Sequence, residues 1–292
     1  MAIARFELFA AVMLGLSGLV TAQPSTNTPG PLATPIDESK LGHSCTSIGA
    51  QGAEMVPLAK VCEFAQKYRK SLPDFTCHQI TTLNNAQVVR AEITFLQGQE
   101  SYSKVSLNGK PVKTADPSIK RYFTTSGEFG SDLVSLFQAP IAAEFKFRKQ
   151  GKLGPNIVLV YGFHVDAEKN TFWTLHSSSH RDVKPELAGE LWVEATGARL
   201  LRLRLEPLHI PPEFNIISDT TVIDYADFSL GDLGKYVLPK SSEATVCVNV
   251  DAPASRNSRP DQGTLVVCYH NTAVFQNCHK FAANTRVVTE EP

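Results

Sequence analysis

The stretch Ala188 to Pro207, AGELWVEATGARLLRLRLEP, constrains this chain more than any other. Its apolar residues Leu191, Val193, Leu201, Leu203 and Leu205 fall on every second position, and Glu190, Trp192, Glu194, Arg202 and Arg204 fill the positions between. A period of two is the signature of a strand with one buried face. Ala195-Thr196-Gly197 separates the two runs. A three-residue hairpin loop places its last residue in the left-handed region, where glycine carries no steric cost. With Gly197 in that position, Glu194 faces Ala198, Leu191 faces Leu201 and Glu190 faces Arg202. Leucine then meets leucine on one face and opposite charges meet on the other, each pair contributing about 0.2–1 kcal/mol. A slip of one residue would turn the arginines into the core, so the register is well specified.

The same alternation runs through most of the chain. It predicts strands at Phe75–Ile80, Val89–Phe95 and Tyr102–Leu107, the last leading into the turn signal Asn108-Gly109. It resumes at Phe145 and Phe147, then at Ile157–Val165, Thr171–Ser177, the hairpin, Asp219–Phe228, Lys235–Leu238, Ala244–Val250, Thr264–His270 and Val274–Phe281. Only two segments carry helical spacing. Ala53 to Leu72 has an apolar stripe of Val61, Phe64, Ala65, Tyr68 and Leu72 and is closed by Pro73. Ser126 to Ala143 carries Phe129, Leu133, Leu136 and Phe137 and is broken at Pro140. Roughly ten or eleven strands joined by hairpin-length loops predict a mainly β (α+β) protein. Its core would be a large curved antiparallel sheet forming an incomplete (half) barrel, with an N-terminal helix and a short helical plug.

The N-terminus reads as a signal peptide, residues 1–22. Arg5 supplies the charge, Leu8 to Val20 is apolar, and Val20-Thr21-Ala22 offers small residues before a cut at Gln23. The run of about 13 residues is short of the ~20 needed to span a bilayer. Residues 23–44, with Pro24, Pro29, Pro31 and Pro35, read as a Pro/Ser/Thr-rich flexible leader, and 45–292 as one half-barrel domain. The 6 cysteines (Cys45, Cys62, Cys77, Cys247, Cys268, Cys278) agree with export, secreted or periplasmic, because an even count in an oxidising compartment favours disulfides. Cys247 and Cys268 lie in two β-like runs joined by a polar loop, so a cross-strand bridge between them is expected. No later segment is apolar enough to span a membrane, and the formal net charge of −1 excludes nucleic acid as a main partner.

No motif names a reaction. G-x-S-x-G, H-E-x-x-H and the phosphate loop are absent, and no two cysteines form C-x-x-C. His176 and His180, four apart in an extended run, would stand ~13 Å from each other, too far to share a metal. Glu190 and Glu194 form a carboxylate pair, but Arg202 and Arg204 are their expected partners. No catalytic residue, metal or cofactor is therefore assigned. What remains is apolar surface in excess of what two helices cover, which leaves room for a hydrophobic groove. Its expected lining is Phe129, Phe137, Phe145, Phe147, Phe163, Trp173, Leu191, Leu201, Leu203 and Tyr225. The alternatives are that these residues fill a solid core, as in a structural envelope component, or that a hydrolase or lyase site lies on the concave face.

Several motifs carry a resemblance. They are Phe75-Thr76-Cys77, Ser126-Gly127-Glu128-Phe129-Gly130-Ser131 with Leu136-Phe137, Gly189-Glu190-Leu191-Trp192-Val193-Glu194, Leu201-Arg202, and Leu238-Pro239 before Ser242-Glu243. With the order helix, meander, helical plug and long antiparallel run, Val56 to Phe281 resembles the half-barrel lipoprotein-carrier superfamily, LolA-like and LolB-like, and within it a group of exported bacterial proteins. The resemblance implies a periplasmic, non-enzymatic binding protein that holds a lipid, acyl chain or other apolar ligand on the concave face of the sheet, with an envelope protein as a second kind of partner. Six cysteines, the proline-rich leader and the lack of a lipidation cysteine depart from that pattern.

Overall fold

Nearly every strand finds its partner in the next strand along the chain. The computed structural model describes residues 42–84, 86–112, 129, 131–138, 140–175, 182–251 and 264–281. Eleven strands form one antiparallel sheet: β1 (Phe75–Leu83), β2 (Gln87–Leu96), β3 (Gln99–Leu107), β4 (Lys110–Pro111), β5 (Glu144–Leu153), β6 (Asn156–Val165), β7 (Glu186–Glu194), β8 (Leu200–Leu208), β9 (Ile216–Ser229), β10 (Lys235–Asp251) and β11 (Thr264–Lys280). Their spatial order is β4-β3-β2-β1-β11-β10-β9-β8-β7-β6-β5. All neighbours but β1 and β11 are consecutive in sequence. The sheet does not close: β4 and β5 are its two edges, and the connection between them carries the short helix α3 (Ser131–Leu136). This is the open, curved antiparallel architecture the alternation implied.

Two further helices precede the sheet, α1 (Gly42–Gly49) and α2 (Val56–Ser71), with a single 3-10 turn at Ala53–Met55 between them. Helix α1 includes the last three residues assigned to the leader; the signal segment and the rest of the leader lie outside the described residues. Pro57 sits in the first turn of α2, where its missing N–H costs nothing. The helix stops at Ser71 because Leu72, which precedes Pro73, is extended at φ −71, ψ 126. Leu58, Val61, Cys62, Ala65 and Tyr68 are fully buried along its sheet-facing side. The second expected helix is shorter than its pattern. Among the described residues only Ser131–Leu136 is α-helical, and Phe137, Pro140 and Ile141 lie in turns.

Three disulfides bind these parts. Cys45–Cys62 joins α1 to α2, Cys77–Cys278 joins β1 to β11, and Cys247–Cys268 joins β10 to β11. The last is the expected bridge, between directly opposed residues. Among the described residues no helix is long and apolar enough to cross a membrane.

The hairpin forms in a different register from the one its alternation suggested. Glu190 faces Arg204, Leu191 faces Leu203 and Trp192 faces Arg202; the register then shifts, and Val193 faces Leu200. The loop has four residues rather than three, closed by Glu194 N–H to Arg199 O at 2.8 Å and Ala198 N–H to Glu194 O at 3.0 Å. Its left-handed residue is Ala198 at φ 52, not Gly197. The cause is the doublet Leu200-Leu201. A bulge lets Leu200 and Leu203 both point inward and turns Leu201 to the outer face, against Val158, Val160, Leu153 and Trp192. Charge pairing follows the new register. Arg202 binds Asp224 on β9 through two hydrogen bonds of 2.5 and 2.8 Å and lies over the Trp192 ring, and Arg204 binds Glu206. Two other expectations also change. Residues Thr171–Ser177 form no strand among the described residues, only a bridge from Leu175 to Val183. The runs Lys235–Leu238 and Ala244–Val250 are one strand, as are Thr264–His270 and Val274–Phe281.

Three substitutions probe this packing. A Cβ at Gly189 would run into the Arg204 carbonyl and the Phe163 ring. Gly189→Ala is therefore expected to lower unfolding free energy by about 1–3 kcal/mol, read from urea melts. Ala198→Gly removes a left-handed alanine and should raise stability by up to about 1 kcal/mol. A Cβ at Gly197 would meet only the flexible end of Glu194, so Gly197→Ala should be close to neutral. A loss at position 198 together with a large loss at 197 would restore the three-residue loop.

Candidate functional site

The concave face divides into two parts with different side chains. Over β5 to β9 it is aromatic and aliphatic, and helices cover it. Phe163, Trp173, Leu191, Leu203 and Tyr225 are buried there with Phe137, Leu133, Leu136 and Ile141 of the plug and with Leu58, Val61 and Ala65 of α2; Phe145 and Phe147 pack against the same cluster. The rings meet closely: Phe137 stacks on Phe145 at 5.0 Å, and Phe147 meets Tyr161 edge-on at 5.8 Å. Trp173 is held by Asn170, whose side chain accepts from the Trp173 N–H at 3.0 Å and donates to the carbonyls of Trp173 and Pro185. Phe129 belongs to a neighbouring cluster with Phe75, Phe95 and Phe275 under Tyr68 and Leu72. Nine of the ten expected lining residues thus lie on the inner side, packed against helices and one another. Leu201 is the exception, because the β8 bulge turns it outward.

Two tyrosines fasten the helices to this face. Tyr68 donates to the carbonyl of Val237 on β10, and Tyr161 on β6 donates to the carbonyl of Glu54, both at 2.7 Å. Burial pushes the Tyr68 phenol far above its ordinary value and the Tyr161 phenol up to about 12, and nearby glutamates add to both shifts. Both stay protonated at neutral pH and act as hydrogen-bond donors, not as bases.

Where β1, β9, β10 and β11 meet, past Phe275 and Ile223, the inner face carries a patch of small or polar residues. Thr221 on β9 faces Ala244 on β10; Ser242 faces Ala273 on β11, which faces Thr81 on β1. Gln79, Thr81, Asp219, Thr221, Ser242, Ala244 and Ala273 are all buried. Apart from Ala273, none of them belongs to the hydrophobic clusters formed by the described residues. Gln79 donates to Thr81 at 2.9 Å, while its carbonyl oxygen is buried without a partner among the described residues. An unsatisfied buried acceptor is costly, about 1–3 kcal/mol, and is rare in an interior that exists only for packing. The expected lining missed this wall. Its signal was present in the alternation, since Gln79, Thr81, Asp219, Thr221 and Ser242 occupy inward positions where the rest of the sheet carries Leu, Val or Phe.

Outside the Leu201 cluster, the outer face carries paired charges. Arg199 binds Asp227 and Glu194, and Glu186 lies between His164 at 3.4 Å and His209 at 3.0 Å. Glu190 and Glu194 therefore do not pair with Arg202 and Arg204 as expected: Arg199 serves Glu194, and Asp224 and Glu206 serve the two arginines. His176 and His180 lie outside the described residues. Among the described residues no group of three His, Cys, Asp or Glu side chains could hold a metal ion. A shallow groove of about 270 Å³ is lined by His78, Arg90, Glu92 and Lys104 on β1 to β3. A second, of about 460 Å³, is lined by Lys146, Arg148, Gly162 and His164 at the β5 edge.

A scan against protein-family models finds no match to this chain, and a search of curated proteins finds none either.

The outer groove is electrostatically tuned. Lys104, hydrogen-bonded at 2.8 Å, holds the Glu92 carboxyl below the usual carboxylate range. A depressed folded value means that the pair's stabilisation is present above the ordinary carboxylate pKa and lost as pH falls through the folded one. Since Lys104 is 75% exposed, the effect at neutral pH is under about 1 kcal/mol. Glu92→Gln should cost that much at pH near 7 and nothing below about pH 3, measured by urea unfolding at both. A gap of equal size at both pH values would assign the loss to packing.

Proposed function

We propose that this is an exported binding protein whose open, curved sheet holds a lipid, acyl chain or other apolar ligand bearing a polar group. The ligand lies along the wall of β1, β9, β10 and β11. The observation that carries this reading is the change of side chains across one concave face. The half under α2 and α3 is lined by large rings that fill it. Beyond it, past Phe275 and Leu238, lies a patch of Thr81, Thr221, Ser242, Ala244 and Ala273, side chains smaller than the Leu, Val and Phe elsewhere on this face. Small residues make the walls of ligand sites, and a few placed polar atoms orient the ligand. The Gln79 carbonyl oxygen is such an atom, suited to a hydroxyl or amide donor on the ligand. The three disulfides and the signal-like N-terminus support an oxidising, extracytoplasmic setting, and the resemblance to the half-barrel carriers supports the ligand class. Polar contact at the wall and apolar contact beyond it require no chemistry on the ligand, so the reading is non-enzymatic.

The test is direct. Oxidised, signal-free protein should release lipid on solvent extraction, seen by mass spectrometry, and after delipidation should bind a fluorescent fatty acid at one site per chain. Ala244→Phe should abolish probe binding, and Leu201→Ala on the outer face should leave it unchanged. An oxidised, folded sample that neither carries lipid nor binds the probe would sink the proposal.

A further inference from the structure

Strands β10 and β11 have 17 residues each, whereas β1 has 9. The β1–β11 ladder therefore runs out at Leu83 facing Asn271. Asn84 closes it: its N–H donates to the His270 carbonyl at 2.8 Å, and its side-chain oxygen accepts the His270 N–H at 2.9 Å. Beyond this point β11 continues to Thr264, bonded to β10 alone among the described strands. Because His270 turns its backbone groups toward β1, antiparallel alternation turns those of Cys268, Val266 and Thr264 the same way. These three residues form a row of outward-pointing amides and carbonyls. Leu265 is 52% and Val266 53% exposed on the same overhang.

Unpaired strand edges attract other strands, and proteins ordinarily guard them with lysine, proline or brevity. The two ends of this sheet are guarded. Strand β5 carries exposed Lys146, Arg148, Lys149 and Lys152, and β4 is only Lys110 and Pro111. The overhang Thr264-Leu265-Val266-Val267-Cys268-Tyr269-His270 carries no Lys, Arg, Asp, Glu or Pro. Its backing strand presents Thr245 to Val250 opposite His270 to Leu265, uncharged, with one carboxylate residue, Asp251, opposite Thr264 at the end, and the Cys247–Cys268 disulfide holds the ribbon in register.

We infer that this overhang is a self-association edge: Thr264 to Cys268 of β11 pairs antiparallel with the same segment of a second copy, about a two-fold axis at Val266. An antiparallel strand pair is two-fold by construction, and a two-fold interface sets every residue against the same segment of the partner. Only a segment without net charge tolerates that, and this one has none. The register follows from Asn84. With His270 already bonded, an axis at Val266 matches the three remaining outward residues, Thr264 with Cys268, Val266 with Val266 and Cys268 with Thr264. It also sets Leu265 against Val267 on the inner face. A strand of this length buries less than the ~1,200 Å² of a stable interface, so the dimer is weak and its population depends on concentration.

Sedimentation velocity on the oxidised protein over a dilution series tests this. The wild type should show a monomer–dimer equilibrium. Val266→Lys, which sets two ammonium groups together at the axis, should weaken it at least about tenfold. Val274→Lys is the comparison: it lies on the same face of β11, 43% exposed, where β1 covers the edge, and it should leave the equilibrium unchanged. Far-UV circular dichroism confirms that both variants are folded. A monomer at every concentration, or a dimer that both lysines weaken alike, overturns the inference.

Discussion

The sheet depends on one pairing that no turn makes. Ten strand neighbours would be nine hairpins and nothing more without β1 lying against β11. That contact joins the meander β1–β4 to the meander β5–β11 and converts two ordinary sheets into one wide enough to curve around helices. Its ends are far apart along the chain, with Cys77 and Cys278 separated by 201 residues. The chain entropy of closing so long a loop grows only logarithmically with length. In the chain-entropy account, the Cys77–Cys278 bond removes about 5 kcal/mol of it from the unfolded state. Around the same bond Tyr68, Leu72, Phe75, Ile93, Phe95, Phe129 and Phe275 form one buried cluster with side chains from α2, both meanders and the connection between them. Covalent and apolar contributions act at the one junction where local sequence supplies no help.

From that junction follows the division of the concave face. Helix α2 leads directly into β1, so it can lie only over the strands near it and over those reached by its own length. Tyr68 fastens its C-terminal end to β10, and Tyr161 on β6 fastens the turn that begins it to the other side. The plug α3 fills the space beside it with Leu133 and Leu136, and Phe137 follows from the turn beyond. Large side chains on β5 to β9 meet this cover and complete a core. The inward residues Thr81, Thr221, Ser242 and Ala244 are not built for that kind of core. Threonine and serine bury hydroxyls that demand partners, and alanine leaves space that a leucine would fill. Two halves of one sheet, exposed to one interior, thus carry two different designs.

Much of this was legible in the sequence, and the exceptions have causes. Strand positions followed from alternation because one face of nearly every strand is buried. The disulfide Cys247–Cys268 followed from two β-like runs with a loop between. The β1–β11 pairing was not legible, since alternation says which face a strand buries and nothing about its neighbour 201 residues away. The hairpin register failed for a narrower reason. Leu200 and Leu201 are adjacent and both apolar, a breach of the period that marks a bulge, and a bulge moves every later pair. The same displacement removed Leu201 from the inner face. The polar wall carries no apolar side chain at Gln79, Thr81 or Ser242 to mark its side, and only alternation with neighbours such as Phe75 places these residues inward.

Edges decide what a sheet of this kind can remain. A closed barrel has none. This sheet has the two ends β4 and β5 and a third edge that arises because β10 and β11 outrun β1. Charge and proline at the first two keep other strands away without cost to the core, since side chains at an edge face water. The third could have been guarded as cheaply by one lysine at Val266, which is 53% exposed and packs little. Instead the ribbon is stiffened by a disulfide across it, which lowers the entropy a partner strand must overcome on pairing. Free of charged side chains along β11, held by a disulfide and unpaired among the described strands, this edge has what strand addition requires.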